Sequence, residues 1–248
     1  MKPHVLLTGA SSGIGRALAK KLVLAGYRLS LQGRQTDKLA TTISQIQQLN
    51  DAALAGAESE LPDSSSSIVH ASAFCLSEPQ AISDFVAAAQ AKAPIDILIN
   101  CAGANLSRAS TSAPDITALN AMMQLNFYAP VALSAAVLPA MQTRGQGTIL
   151  NLLSTCCLFA NANNSGYTAS KLALDGYSKV MRKELQGSGV RVLSLYPGGV
   201  NTEFRTTTRP DYLSADEVAT AALAMLTAPS HVQWHELVLR PAVETNYA

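Results

Sequence analysis

His4-Val5-Leu6-Leu7-Thr8-Gly9-Ala10-Ser11-Ser12-Gly13-Ile14-Gly15, continuing into Arg16-Ala17-Leu18-Ala19-Lys20-Lys21-Leu22, is the stretch whose reading decides the fold. The short apolar run predicts a strand, the Gly/Ser segment a turn, and the apolar spacing that follows a helix. A strand that turns through glycines into a helix aims backbone N–H groups and a helix N-terminus at one point, which suits a phosphate. Gly9 permits the tight turn, Gly13 lets a pyrophosphate approach the backbone, and Gly15 lets the helix pack on the strand. Ser11, Ser12 and Ile14 complete the turn. The spacing is Gly-x-x-x-Gly-x-Gly, not the commoner Gly-x-Gly-x-x-Gly, and a plain strand-to-helix turn is the alternative reading.

Working outward, Arg28–Gln32 reads as a second strand and the segment from about Thr36 to Leu49 as a helix. At the tip of this strand a dinucleotide site chooses its cofactor: a carboxylate suits ribose hydroxyls, a basic residue a 2′-phosphate. The tip is Gly33-Arg34, with no carboxylate. That favours NADP(H) over NAD(H), the alternative for Arg34 being a solvated surface arginine. Asp51–Ser67, with Pro62 and four consecutive serines, is an exposed, mobile excursion to which no function is assigned. Ile68–Phe74 is a third strand, and Pro79 opens a helix that runs to about Lys92. Ile95–Asn100 is nearly unbroken apolar sequence, as in a strand buried on both faces.

A long helical region from about Asp115 to Met141 is interrupted near Pro130 and contains Asn126, which is costly to bury unless paired. Gly147–Leu153 and Gly189–Tyr196 are further strands, and His235–Arg240 is a last one. Ser214-Ala215-Asp216-Glu217 is a capping signature for a helix ending near Thr227. The alternation predicts one α/β domain over 1–248: a Rossmann-like doubly wound parallel sheet of about seven strands, with helices on both faces. Ligands bind such sheets at the carboxyl ends of the strands. The glycine turn, Gly33-Arg34, Asn100–Gly103, Ser154 and Pro197–Thr202 therefore converge on one rim.

Of the 248 residues, 48% are hydrophobic and 14% charged, which leaves apolar material for buried strands and subunit interfaces. A formal net charge of +1 gives no electrostatic case for binding nucleic acid or an anionic membrane. No signal-peptide pattern opens the chain, and no apolar run reaches the roughly 18 residues of a membrane span. Cys75, Cys101, Cys156 and Cys157 show no metal-ligand spacing, so no metal is expected. Reduced cysteines fit the cytoplasm. Cys156-Cys157 admits a redox switch, but two small residues in a tight turn is the preferred reading.

Tyr167-Thr168-Ala169-Ser170-Lys171 places a phenol and an ammonium one helical turn apart on one face. A nearby ammonium lowers a phenol's pKa and fits it for proton transfer. The pair alone is weak evidence, since packing of a tyrosine by a lysine stem gives the same spacing.

Taken together, Thr8–Gly15, Asn100-Cys101-Ala102-Gly103, Asn126, Ser154, Tyr167-x-x-x-Lys171 and Pro197-Gly198-Gly199-Val200-Asn201-Thr202 resemble, in order, the motifs of the short-chain dehydrogenase/reductase family. The resemblance covers nearly the whole chain. It implies interconversion of a carbonyl and an alcohol by hydride transfer, with Tyr167 as general acid or base and Lys171 lowering its pKa and holding the nicotinamide ribose. Ser154 would hydrogen-bond the substrate oxygen, and Asn126 would hold a water that relays protons from Lys171. Asn100, Ala102 and Gly103 would line the cofactor cleft. Pro197, Gly198, Val200 and Thr202 would border the nicotinamide. Cys156, Asn161 and Phe204 would face the substrate, with Leu106, Asn164 and Gly198 as further walls. Residues 203–213 would form a short lid whose Arg205 and Arg209 either attract an anionic group or are solvated charges.

Family members commonly form dimers or tetramers through the Tyr167 helix, so a homodimer or homotetramer is expected. The sequence departs from the family pattern at Cys75, in place of an aspartate, and at Cys101, in place of an asparagine. Ser12 stands where some NADP-preferring members carry a basic residue. An NAD-dependent dehydrogenase and a catalytically silent NADP-binding regulator are the alternatives.

Overall fold

Apolar runs become strands and periodic runs become the helices that carry the chain back to the same edge of a sheet. In the computed structural model, which describes residues 2–55, 67–229 and 231–245, the first half comprises β1 (His4–Leu7), α1 (Gly13–Leu24), β2 (Arg28–Gly33), α2 (Thr36–Ala55), β3 (Ile68–Ala73), α3 (Pro79–Lys92) and β4 (Ile97–Asn100). Next come α4 (Ile116–Met123), a π-helical turn (Gln124–Tyr128), α5 (Ala129–Arg144), β5 (Gly147–Leu152), a 3-10 turn (Thr155–Cys157) and α6 (Ser165–Glu184). The chain closes with β6 (Val190–Pro197), β7 (Val200–Asn201), β8 (Leu213–Ser214), α7 (Ala215–Thr227) and β9 (Glu236–Leu239).

Seven strands pair in parallel in the order β3-β2-β1-β4-β5-β6-β9, the Rossmann-like α/β arrangement. Successive side chains on a strand point to opposite faces. Val5, Leu7, Leu29, Leu31, Ile97 and Ile99 accordingly face α1, α2 and α7, while Leu6, Leu98 and Ile149 face α3 and α5. Burial on both faces is why these strands read as unbroken apolar runs. The strand order reverses between β1 and β4, which opens a crevice at their carboxyl ends. There the loops meet closely: a Cβ on Gly9 would lie 2.9 Å from the Ala102 backbone, and one on Gly15 would lie 2.1 Å from the Gly9 carbonyl. Gly9 and Gly13 also hold φ of 72° and 49°, in the left-handed region.

Ser214 and Glu217 form the expected capping box of α7. Other boundaries move. α2 runs on to Ala55, into the serine-rich excursion, of which 56–66 lie outside the described residues. β4 starts at Ile97 because Asp96 turns its side chain to the His4 N–H, at 2.8 Å. The helix through Asn126 is not broken at Pro130 but widens into the π turn before it. Pro130 has no N–H to offer the Asn126 carbonyl, and in the wider turn the Ala129 N–H reaches back five residues to the Gln124 carbonyl.

The resulting stretch Ile116–Arg144 is long and apolar enough to cross a membrane by length and composition, which a scan for unbroken apolar runs did not register. In the fold its Ala129, Leu133, Val137 and Met141 pack with Phe85, Val86, Leu98 and Ile149, as a core helix does. The β7–β8 pair was not anticipated. It joins Val200 to Leu213 and Asn201 to Ser214, and so pins both ends of the intervening lid.

His4, fully buried in β1, has its Nδ1 3.1 Å from the carbonyls of Ala93 and Pro94 and its Nε2 2.9 Å from Ser30 Oγ. Nδ1 therefore carries the proton of a neutral ring, and Ser30 donates to Nε2. Burial lowers the pKa below its ordinary 6.5, a direction that the Arg28 charge reinforces and the two carbonyls and Asp96 oppose. The unfolded chain takes up this proton first as pH falls, so the stabilisation is complete above pH 6.5 and is lost as pH drops towards the folded pKa. Urea midpoints at pH 7.5 and 5.5 should fall more for the wild type than for His4→Gln; parallel losses would refute the assignment.

Candidate active site

Ser154 follows β5 at the carboxyl rim and caps the 3-10 turn, its Oγ accepting from the Cys156 N–H at 3.2 Å. Tyr167 lies in the first turn of α6 and Lys171 one turn on. Lys171 is 4% exposed, and its Nζ donates to the Leu152 carbonyl at 2.8 Å. Across the crevice, a Cβ on Gly103 would lie 3.3 Å from that Nζ and 3.0 Å from Asn126 Oδ1. The glycine thus leaves the space in which loop, lysine and asparagine come together.

Asn126 is fully buried and fully paired. Its Oδ1 accepts from the Ala104 N–H, and its Nδ2 donates to the Ala104 carbonyl and to Ser170 Oγ, each at 2.9 Å. Ser170 in turn donates to the Tyr167 carbonyl at 2.8 Å. One amide therefore fastens the loop after β4 to the first turn of α6. The sequence singled out Asn126 but not Ser170 and Ala104. Their only signal was position, inside the Tyr-x-x-x-Lys motif and next to Gly103.

The expected lowering of the Tyr167 pKa is absent from the chain itself. Burial pushes the phenol well above its ordinary 10, Cys156 and Cys157 add to the rise, and Ser154 and Arg205 oppose it. The Lys171 Nζ, one turn on, is turned to the Leu152 carbonyl. Burial also lowers the Lys171 pKa, against the pull of Cys157, Cys156 and Cys101. Hydrogen bonds with Cys157, Ser154 and Thr168, helped by the Lys171 charge, lower the Cys156 thiol, while burial opposes them. Cys157, bonded to Cys156 and buried, is raised.

The glycine turn is built to receive an anion. Ser12 occupies the N-cap of α1 without a side-chain capping bond, so its hydroxyl is not spent on the helix. Ser11 Oγ is buried with no hydrogen-bond partner and abuts Gly33, where a Cβ would lie 1.9 Å from it. Arg34, the next residue along the chain, is exposed and has no carboxylate partner among the described residues. Thr202 closes the turn from above: its Cβ lies 3.3 Å from where a Gly13 Cβ would be. An orphaned hydroxyl and a cradle too tight for side chains fit the backbone approach of a dinucleotide.

Not every expected residue turns to the crevice. The Asn100 side chain is buried at the tip of β4, its Nδ2 donating to Asn151 Oδ1 at 2.8 Å while its own Oδ1 has no hydrogen-bond partner. Asn161 lies exposed on the loop before α6, and Asn164 Oδ1 accepts from Asn105 Nδ2 at 2.9 Å. Phe204 does reach the site, with its ring 6.1 Å from that of Tyr167. Gly198 and Gly199 carry groups from the C-terminal segment that the sequence did not mark. Glu244 Oε1 accepts from the Gly199 N–H at 2.8 Å, and Arg240 lies 3.4 Å from Glu244 and over the Phe159 ring. A separate concavity lies at the amino ends of the strands around Pro3, Tyr27 and Gly147, and gathers none of this chemistry.

Removing the Asn126 amide would leave Ala104 and Ser170 polar groups buried without partners. Asn126→Ala is expected to lose about 2–3 kcal/mol in urea denaturation, and a loss under about 0.5 kcal/mol would show that the amide does not hold the loop to α6.

With this geometry in place, likeness to known proteins is informative. The short chain dehydrogenase family model matches residues 3–213. An uncharacterized oxidoreductase of Staphylococcus saprophyticus is 32% identical over 240 residues, 95% of this chain and 96% of the relative. Among solved structures, serine dehydrogenase from Escherichia coli is 26% identical with a TM-score of 0.79, covering 98% of this chain and 99% of that one. A metagenomic short-chain oxidoreductase in complex with NADP is 28% identical with a TM-score of 0.77, covering 97% and 98%. A family match over most of the chain, joined to a sheet whose motifs meet at one rim, makes this protein a member of the short-chain dehydrogenase family, an oxidoreductase that works with a nicotinamide dinucleotide.

Proposed function

We propose that the protein is an NADP(H)-dependent oxidoreductase that interconverts a carbonyl and an alcohol on a small molecule, with Tyr167 as the proton donor and acceptor. The observation that carries this reading is the convergence of Ser154, Tyr167 and the buried Lys171 on the rim that also holds the glycine turn. The names of the two solved relatives, one acting on the hydroxyl-bearing serine and one bound to NADP, agree with it.

Gly9, Ser11, Ser12, Gly13, Ile14 and Gly15 would hold the pyrophosphate, with Arg34 at the 2′-phosphate. Ala102, Gly103, Pro197, Gly198, Val200 and Thr202 would border the rest of the dinucleotide. When bound, nicotinamide supplies or receives the hydride. Ser154 Oγ and Tyr167 Oη donate to the substrate oxygen as it gains charge, which preorganised donors stabilise without rearrangement. With its pKa raised by burial, the Tyr167 phenol holds its proton at neutral pH and is ready to donate it in the reducing direction. Lys171 lends positive charge behind it. Pro130 supplies no N–H to the Asn126 carbonyl, which suits that oxygen to hold a water on a proton path from Lys171. The low charge of the chain suits a cytoplasmic protein, and its exposed Val180 and Leu172 on α6 suit assembly of like subunits.

Tyr167→Phe should lower turnover by roughly 10²–10⁴-fold while leaving NADPH binding intact; wild-type turnover would eliminate the mechanism. Arg34→Ala should weaken NADPH by roughly ten- to a hundredfold and leave NADH unchanged. Fluorescence titration checks this, and equal affinities of the unmutated protein for the two cofactors would end the NADP assignment.

A further inference from the structure

The lid carries two arginines in unlike circumstances. Arg209 and Arg205 both stack on the Tyr212 ring, their guanidinium carbons 4.3 and 4.8 Å from its centroid. Arg209 is matched by a carboxylate: its Nε and Nη2 lie 3.3 and 3.2 Å from the two Asp211 oxygens. Arg205 stacks in the same way and has no carboxylate partner among the described residues. It is also the less exposed of the two.

The position of Arg205 is fixed from several sides. Its N–H donates to the Thr202 carbonyl at 3.1 Å. Tyr212 is wedged against Gly199, where a Cβ would come within 2.2 Å of the ring. Arg209 N–H donates to Asn201 Oδ1 at 3.0 Å, and β7 and β8 close the base of the lid. The preceding residue, Phe204, packs against the Tyr167 ring, which sets the arginine one residue along the lid from the side chain that covers the phenol. Its charge is felt there, opposing the rise in the Tyr167 pKa.

We propose that Arg205 is a specificity-determining residue that selects substrates bearing a carboxylate close to the carbonyl or alcohol carbon. The Arg209–Asp211 pair displays, on the same aromatic ring, the two-nitrogen grip that Arg205 has free to offer. A guanidinium stacked on an aromatic face keeps its donors in one plane, and that fork matches the two oxygens of a carboxylate. Keto acids and hydroxy acids, rather than neutral ketones or alcohols, are therefore the substrate class. The proposal rests on the reading of Tyr167 as proton donor, since that places the reacting oxygen under the lid segment that carries Arg205.

The test compares acetoacetate with methyl acetoacetate, and pyruvate with methyl pyruvate, by NADPH oxidation. It also measures calorimetric binding of malonate, an unreducible dicarboxylate, to the NADP-saturated protein. The wild type should prefer each acid to its ester in kcat/KM. Arg205→Met should cut that preference by roughly tenfold or more, through KM, with the esters little changed. Arg205→Lys should recover part of it, and Arg209→Met should leave the acid-to-ester ratio unaltered. Malonate binding should weaken in step with the loss in Arg205→Met.

A wild type that reduces esters as well as acids, or an Arg205→Met protein with unchanged preference, overturns the proposal and leaves the oxidoreductase reading standing. If no carbonyl compound is reduced, the oxidoreductase reading is what has failed. Malonate binding then decides the anion site alone: loss in Arg205→Met supports it, and equal or absent binding overturns it.

Discussion

A lysine ammonium removed from water is the constraint on which this site depends. Lys171 sits almost wholly buried, and burial favours its neutral form. What opposes that tendency is local: the Leu152 carbonyl accepts from Nζ, and three cysteine sulfurs lie close enough to favour the cation. The end of β5 thus does two things. Its last carbonyl anchors the ammonium, and two residues later it presents Ser154. Because both come from one strand end, the hydroxyl and the cation keep their spacing. Tyr167 and Lys171 keep theirs because they share a helical turn. The loop after β4 is the third party, and the Asn126 amide ties it to α6 through Ala104 and Ser170. A polar cluster buried this deeply is stable only when its donors and acceptors are matched, and here the matches are what fix the catalytic geometry.

The other half of the crevice is held by close backbone approach. Gly9 against Ala102 and Gly15 against Gly9 leave no room for a side chain, so β1, α1 and the loop after β4 meet almost backbone to backbone. The same contacts bring the helix N-terminus and the orphaned Ser11 hydroxyl to the point where strand order reverses. Gln32 extends the arrangement sideways. It accepts from the Gly9 N–H and donates to the Phe74 carbonyl, and so locks together the carboxyl ends of β1, β2 and β3.

These features differ in how far they can be read from a sequence. Glycine spacing, strand alternation and the Ser214–Glu217 box are local, and each matches the structure because the physics that produces it is local too. Asn100 marks the limit. Its position at a strand tip is legible, but its side chain turns to Asn151, a partner 51 residues away that sequence reasoning had no means of pairing with it. The π turn belongs to the same class: Pro130 announces a lost hydrogen bond, yet whether the helix breaks or widens is decided by packing on both sides. The setting of Lys171 is hidden for a related reason. A motif gives the presence of Lys171 but not the direction of its Nζ, and the Leu152 carbonyl captures it. Arg205 was legible only as a lid arginine of two possible roles, and Tyr212, Arg240 and Glu244 left no sequence signal, since each acts through a tertiary contact.

The lid brings the two halves of the crevice together within four residues. Thr202 covers the Gly13 turn, and Glu203 reaches Lys38 on α2 at 2.5 Å. Phe204 lies against Tyr167, and Arg205 holds its charge near the phenol. Consecutive residues in an extended or turning chain project in different directions, so one short segment touches the Gly13 turn, α2 and the Tyr167 ring. Its ends are pinned by β7 and β8, and its middle by Tyr212 on Gly199. Such a segment cannot yield at one contact without straining the next. The glycine turn, α2 and the first turn of α6, which come from distant parts of the sequence, are thus bridged by one short segment whose own ends are held in a two-residue ladder.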